Sequence, residues 1–130
     1  MKKIVICLLI FINLIASCSR TESQQAAYHK ISAEAAYKMM LELKDYILLD
    51  VRTENEYKEK RIPGAILIPD YEVKKRAEKE LPDKNKVILL YCRSGRRSAS
   101  AARDLVGLGY ANVYDFGGII SWPYKTETGR

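Results

Sequence analysis

The sequence predicts an α/β domain with a largely parallel sheet. From Tyr28 onward, short apolar runs alternate with stretches of helical periodicity, the pattern of strands joined by helical crossovers. Two of the runs, Tyr46 to Val51 and Val87 to Tyr91, read as buried strands. Capping and turn residues mark the boundaries between the two kinds of segment.

Taken in order, Tyr28 to Ile31 reads as a weak first strand. Ser32 is placed to cap a helix from Ala33 to Lys44, with Ala36, Met39, Met40 and Leu43 on one core-facing side. The strand Tyr46 to Val51 follows. Thr53 and Glu56 have the spacing of a capping box for a short helix through Lys60. Pro63-Gly64 turns the chain into a strand from Ala65 to Ile68. A charged helix with a solvated face runs from Tyr71 to Leu81 and is stopped by Pro82-Asp83-Lys84-Asn85. The strand Val87 to Tyr91 leads into a loop at Cys92 and then a small-residue helix to Leu108, with Gly109 as its end cap. Val113 to Phe116 is the last strand, and Gly117-Gly118 leads to a final turn around Trp122, read as a packing anchor.

The front of the chain reads differently. Lys2-Lys3 precede an apolar stretch from Ile4 to Ala16, too short to span a bilayer. Residues 1–17 are therefore expected to be a signal peptide. The run Leu14-Ile15-Ala16-Ser17-Cys18 resembles a bacterial lipobox, which implies lipidation of Cys18 and a membrane anchor through that lipid. The resemblance places the protein in the cell envelope facing the periplasm, with Ser19 suggesting the outer membrane of a Gram-negative cell. Ordinary cleavage near Ser17 or Ser19 would instead leave a secreted protein. Residues 18–27 form a polar tether, 28–124 the domain and 125–130 a C-terminal tail.

The chain carries a formal charge of +6, of which Lys2 and Lys3 supply two units, leaving a mildly basic +4 after cleavage. That balance suits an anionic membrane surface or anionic small molecules. Of the three cysteines, Cys7 leaves with the leader and Cys18 carries lipid, so Cys92 is the single free thiol and no internal disulfide forms. One Cys and one His, His29, are too few ligands for zinc, and no metal is expected.

The segment Cys92-Arg93-Ser94-Gly95-Arg96-Arg97-Ser98 carries the chemistry. A cysteine between a buried strand and a helix start meets unpaired amides and the positive end of the helix dipole, and three arginines add to that field. Such surroundings favour the thiolate. A buried structural cysteine would not be followed by six polar, charged or glycine residues. The arginines are confined to one tight turn, which is unlike the extended footprint of a nucleic-acid binder.

These residues resemble the rhodanese-like family of single-domain sulfurtransferases over Ile31 to Trp122. The resemblance rests on Leu49-Asp50-Val51-Arg52, Glu56-Tyr57, Ile62-Pro63-Gly64-Ala65 with Ile68-Pro69, the Cys92 segment, Gly109-Tyr110 with Asn112-Val113, and Gly117-Gly118 before Trp122. It implies a five-stranded parallel sheet flanked by helices and a catalytic Cys92 that alternates between thiolate and persulfide, with no other cofactor. The family's six-residue active loop maps onto Cys92 to Arg97. Arg93, Ser94, Gly95, Arg96 and Arg97 would bind the persulfide and a small anionic sulfur donor such as thiosulfate, and cyanide, a small thiol or a protein thiol would accept the sulfur. Related cysteine-dependent phosphatases hold one more loop residue, with arginine where this chain has Ser98. Asp50 and Arg52 are expected to brace the pocket, or to form an ion pair with neighbours such as Glu56. Lys60-Arg61 stand where many relatives carry Gly-His, which would put Arg61 near the pocket mouth. A non-catalytic persulfide carrier or redox sensor, and a phosphatase or arsenate reductase relative, remain alternatives.

Overall fold

The computed structural model describes residues 27–129. The expected leader, the Cys18 lipidation site and the tether as far as residue 26 lie outside the described residues. Five strands form one sheet: β1 His29–Lys30, β2 Ile47–Asp50, β3 Ile66–Leu67, β4 Val87–Cys92 and β5 Asn112–Gly118. Their order is β1-β5-β4-β2-β3, and all four pairings are parallel. Parallel neighbours need crossovers, supplied by α1 Ala33–Glu42, α2 Glu54–Glu59, α3 Val73–Glu80 and α4 Arg96–Gly107, with 3-10 turns at Asp70–Glu72 and Ile119–Ser121.

The central strands are buried on both faces, which explains their unbroken apolar runs. On one face Leu49, Ile88, Leu90 and Cys92 pack against Val73, Ala77, Ala101, Ala102 and Leu105 of α3 and α4. On the other, Leu48, Leu89 and Tyr91 meet Ala36, Phe116 and Trp122. Trp122 sits in an aromatic cluster with Phe116, Tyr37 and Tyr124. Each fully buried Leu or Ile contributes about 2 kcal/mol.

Local signals set the helix ends. The Ser32 hydroxyl accepts the Ala35 N–H at 3.0 Å, and the capping box at Thr53 and Glu56 is complete in both directions. Gly109, at φ 94°, closes α4 in a Schellman motif: Tyr110 N–H reaches Leu105 O and Gly109 N–H reaches Val106 O.

Several boundaries differ from expectation, among them the last strand, which starts at Asn112 and takes in Gly117 and Gly118. Helix α1 stops at Glu42 because Leu43 is already extended, its N–H closing on Met39 O; Ala36 alone is fully buried, with Met39 and Met40 half-buried. The charged helix is preceded by a 3-10 turn that follows Pro69, whose carbonyl accepts the Glu72 N–H at 2.8 Å. Finally, the tail is docked. Arg61 and Glu127 exchange both backbone bonds of an antiparallel bridge, and Gly129 N–H reaches Lys58 O.

The chain leaves β4 with its neighbours β2 and β5 on opposite sides. Ligand sites of open parallel sheets gather where connections diverge in this way, at the carboxyl ends of the strands. Asp50, Cys92 and Gly118 end their strands at that edge.

Candidate active site

Cys92 is the last residue of β4 and is 1% exposed. Its Sγ accepts the Gly95 N–H at 2.9 Å and lies 3.5 Å from Ser98 Oγ. Gly95, at φ 111°, curls the loop back on the sulfur in a conformation that a side chain would strain. Helix α4 starts at Arg96, two residues before the small-residue stretch, so Arg96 and Arg97 belong to its first turn and not to the loop proper. No side chain caps this helix. Its first intrahelical bond is Ala99 N–H to Gly95 O, which leaves the amides of Arg96, Arg97 and Ser98 without helical acceptors. The positive end of α4 is thus turned toward the sulfur's end of the sheet.

A strut from the end of β5 and the 3-10 turn after it holds the loop from behind. Arg93 O accepts the Ile120 N–H at 3.3 Å. A Cβ on Gly118 would lie 2.2 Å from Arg93 O and 2.6 Å from Ser94 Cα, so the two backbones touch. Gly117, at φ 84°, donates its N–H to the buried Asp115 Oδ1 at 2.9 Å. The Ser98 hydroxyl, fully buried, is within bonding distance of Gly95 O at 3.1 Å and Gly117 O at 3.4 Å.

The three loop arginines are not equivalent. Arg97 makes two 2.8 Å bonds to the carboxylate oxygens of Glu56. That pairing, helped by Thr53 and opposed by partial burial, pulls the Glu56 carboxyl down to about 2. Arg93 and Arg96 are exposed and have no carboxylate partner among the described residues. Arg93, Arg96 and the amides at the start of α4 are therefore the positive groups of the loop left without a carboxylate among the described residues.

Asp50 and Arg52 pair with each other and not with Glu56. Arg52 donates from its backbone N–H, Nε and Nη2 to the Asp50 carboxylate at 2.7–3.1 Å, and from Nη2 to Lys60 O at 2.5 Å. Both are buried, and Arg52 also lies 5.5 Å from the Tyr91 ring centroid. Tyr91 accepts the Ile62 N–H at 3.1 Å; burial first, then the Asp50 charge, pushes its hydroxyl well above the usual tyrosine value. The network ties β2, β4 and the segment after α2 together beneath the pocket.

Two hollows flank the loop. One, of about 360 Å³, is lined by Arg52, Glu56, Lys60, Arg93 and Ile120 among others. The second, of about 350 Å³, is lined by Asp70, Arg96, Arg97, Ser100 and Arg103. Arg61, expected at the pocket mouth, lines neither. Its guanidinium bonds Glu127 at 3.1 Å and Tyr57 O, and lies over the Tyr57 ring, so Lys60 takes the place expected for it. Sequence reading named Ser98 and Gly118 only as motif residues and missed what they touch, the sulfur and the cysteine-loop backbone; it also missed the bond from Glu56 to Arg97. Glu56 was already accounted for by its capping box, and its second partner lies 41 residues away.

Residues 32–123 match the family model described as Rhodanese-like domain. The chain is 41% identical over 71 residues to the thiosulfate sulfurtransferase PspE of Escherichia coli (strain K12), covering 55% of this chain and 68% of that one. It is 35% identical over 95 residues to a sulfurtransferase of Allochromatium vinosum, covering 72% and 87%. Among solved structures it is similar to a rhodanese with anions from E. coli, with a TM-score of 0.61, 36% identity, and 65% of this chain and 99% of that one covered.

Proposed function

The chain belongs to the rhodanese-like family, and from that premise we propose that it is a sulfurtransferase that carries a sulfane sulfur on Cys92. The observation that carries this reading is the placement of the sulfur: a buried Sγ bonded by the Gly95 N–H, at the uncapped start of α4, beside two arginines without a carboxylate partner among the described residues. An anion growing outward from that sulfur meets amide donors and positive charge at every step.

The reaction has two halves. The Cys92 thiolate attacks the outer sulfur of a donor such as thiosulfate. A new bond forms to Sγ, the bond from the outer sulfur to the sulfonate sulfur breaks, and its electron pair leaves with sulfite. Cyanide or a thiol then attacks the terminal sulfur of the persulfide, and the electron pair of the breaking bond returns to Cys92. The sulfur carrier is the protein's own side chain, and the kinetics are ping-pong. Arg93, Arg96 and the Ser94 to Arg97 backbone receive the donor's charge, while Asp50, Arg52 and Tyr91 hold the pocket wall.

The position of Ser98 favours sulfur over phosphoryl transfer. The chain is already helical there, and the serine hydroxyl packs against Sγ where a phosphatase of related design would place its arginine. A lipid on Cys18 would hold this activity at a membrane surface of the cell envelope, and Cys18→Ser should release the protein from membranes without altering turnover.

Intact-mass measurement after thiosulfate tests the chemistry. The reading expects one added sulfur atom mapped to Cys92, lost on adding cyanide and absent in Cys92→Ser. A wild-type protein that takes up no sulfur, or a Cys92→Ser variant that still turns over, would overturn it.

A further inference from the structure

Ser98 is fully buried in the first turn of α4. Its hydroxyl lies within reach of three acceptors: Gly95 O at 3.1 Å, Gly117 O at 3.4 Å and Cys92 Sγ at 3.5 Å. A hydroxyl carries one proton, so it serves only one of them at a time. Which one it serves depends on the charge of the sulfur. A bond to an ionised acceptor is about twice as strong as one to a neutral carbonyl, and Gly95 O already accepts the Ala99 N–H at 3.2 Å. A free thiolate at Cys92 therefore draws the Ser98 proton to itself.

A sulfur added to Cys92 reverses that preference. Two carbonyl oxygens, of Gly95 and Gly117, crowd the Ser98 side of Sγ, and their negative ends repel an anion. The solvent side of the loop carries Arg93, Ser94 and Arg96, all exposed, and the free amides at the start of α4. The outer sulfur of a persulfide holds the negative charge, so it extends toward those donors and away from Ser98. The inner sulfur is then neutral and divalent, a weak acceptor. Gly95 O, three residues back along the first turn, becomes the better partner for the hydroxyl.

We infer that the Ser98 hydroxyl is a state-dependent donor, which bonds Cys92 when the sulfur is free and turns to Gly95 O when it is loaded, and so sets how readily the protein gives its sulfur up. The inference rests on the sulfurtransferase reading. In discharge the acceptor bonds to the outer sulfur, the bond between the two persulfide sulfurs breaks, and its electron pair returns to Sγ. The hydroxyl swings onto Sγ as that charge forms and keeps its own proton throughout. Its bond is stronger at the end of the step than at the start, so it speeds the departure of Cys92 and opposes overloading.

The test measures loading by intact mass at fixed ratios of thiosulfate to sulfite, on the alkaline plateau of Cys92 alkylation. Ser98→Ala removes a donor that serves only the free thiolate, so the loading equilibrium should shift about tenfold toward the persulfide. Single-turnover discharge by cyanide should slow about threefold, since roughly half of that change appears in the rate. Ser98→Thr keeps a hydroxyl and should stay within about twofold of wild type. A serine that merely props the loop predicts the opposite sign, because a loosened loop holds the persulfide less well. Loading that is unchanged or lower in Ser98→Ala, or a Ser98→Thr variant shifted as far as Ser98→Ala, would overturn the inference. A second measurement uses wild type alone: the Gly95 carbonyl carbon should move downfield in the NMR spectrum on loading, and its failure to do so would also overturn the inference. If the wild type takes up no sulfur from thiosulfate, the sulfurtransferase reading fails instead. The methanethiosulfonate adduct of Cys92, whose Sγ is equally neutral, then decides the Ser98 bond through the same resonance.

Discussion

Adding a single methyl group at Gly118 should nearly abolish the proposed sulfur transfer. Gly118 has φ −115°, an ordinary extended conformation that any residue adopts, so its glycine is not required by the backbone. The requirement is steric, because the added Cβ would sit 2.2 Å from Arg93 O and 2.6 Å from Ser94 Cα. Both obstacles are backbone, so the Arg93-Ser94 segment has to move by about 1 Å to restore contact distance. A misplacement of that size next to the reacting group costs on the order of a hundredfold in turnover. Overpacking adds about 1–3 kcal/mol of lost stability. Gly117 is the matched control: it has φ 84° with nothing within 4 Å of an added Cβ, so Gly117→Ala strains the backbone without pushing on the loop. That variant should lose about 1 kcal/mol of stability and keep turnover within about threefold. Thiosulfate:cyanide turnover and thermal unfolding of both variants decide the matter. If Gly118→Ala turns over like wild type, or if Gly117→Ala is the more damaged in turnover, the loop does not rest on Gly118 as argued.

Further outcomes follow from other contacts. Glu56→Gln should destabilise the protein at neutral pH. The shift from 4.5 to about 2 would correspond to roughly 3 kcal/mol if unscreened, and partial exposure reduces it to about 1–2 kcal/mol. Because the folded value is the lower one, this stability is fully present above about 4.5 and is lost as pH falls through 2. Denaturant titrations of wild type and variant should therefore converge below that pH, and a constant gap would refute the pairing. Tyr91→Phe leaves the buried Ile62 N–H without its acceptor, which should cost about 1–3 kcal/mol in urea unfolding. Arg61→Ala should loosen the tail, detected as faster amide exchange at Glu127 and Gly129, with no change in KM for thiosulfate. A raised KM would put Arg61 back at the pocket.

How much of this was legible in the sequence depended on the range of each interaction. Ser32, the Thr53-to-Glu56 spacing and Gly109 announced their caps because a cap is satisfied within a few residues of chain. The runs at Ile47 and Val87 announced buried parallel strands because burial on both faces removes any alternation. Cys92 announced itself because no core tolerates the residues that follow it. The family resemblance supplied the strand count and the chemistry beyond that point.

The amino-acid sequence by itself thus determined the α/β architecture and singled out the sulfur proposed to react, since both are written in short-range patterns of polarity and turn chemistry. Only the tertiary structure decided which arginines are free to meet an anion, because Glu56 claims Arg97 from 41 positions away and Glu127 draws Arg61 to the tail. It also decided why adjacent glycines serve different ends: Gly117 bends the strand, while Gly118 lets β5 touch the cysteine loop. Side chains and backbones far apart in sequence compete for the same partners in space, and that competition is settled only when the chain has folded.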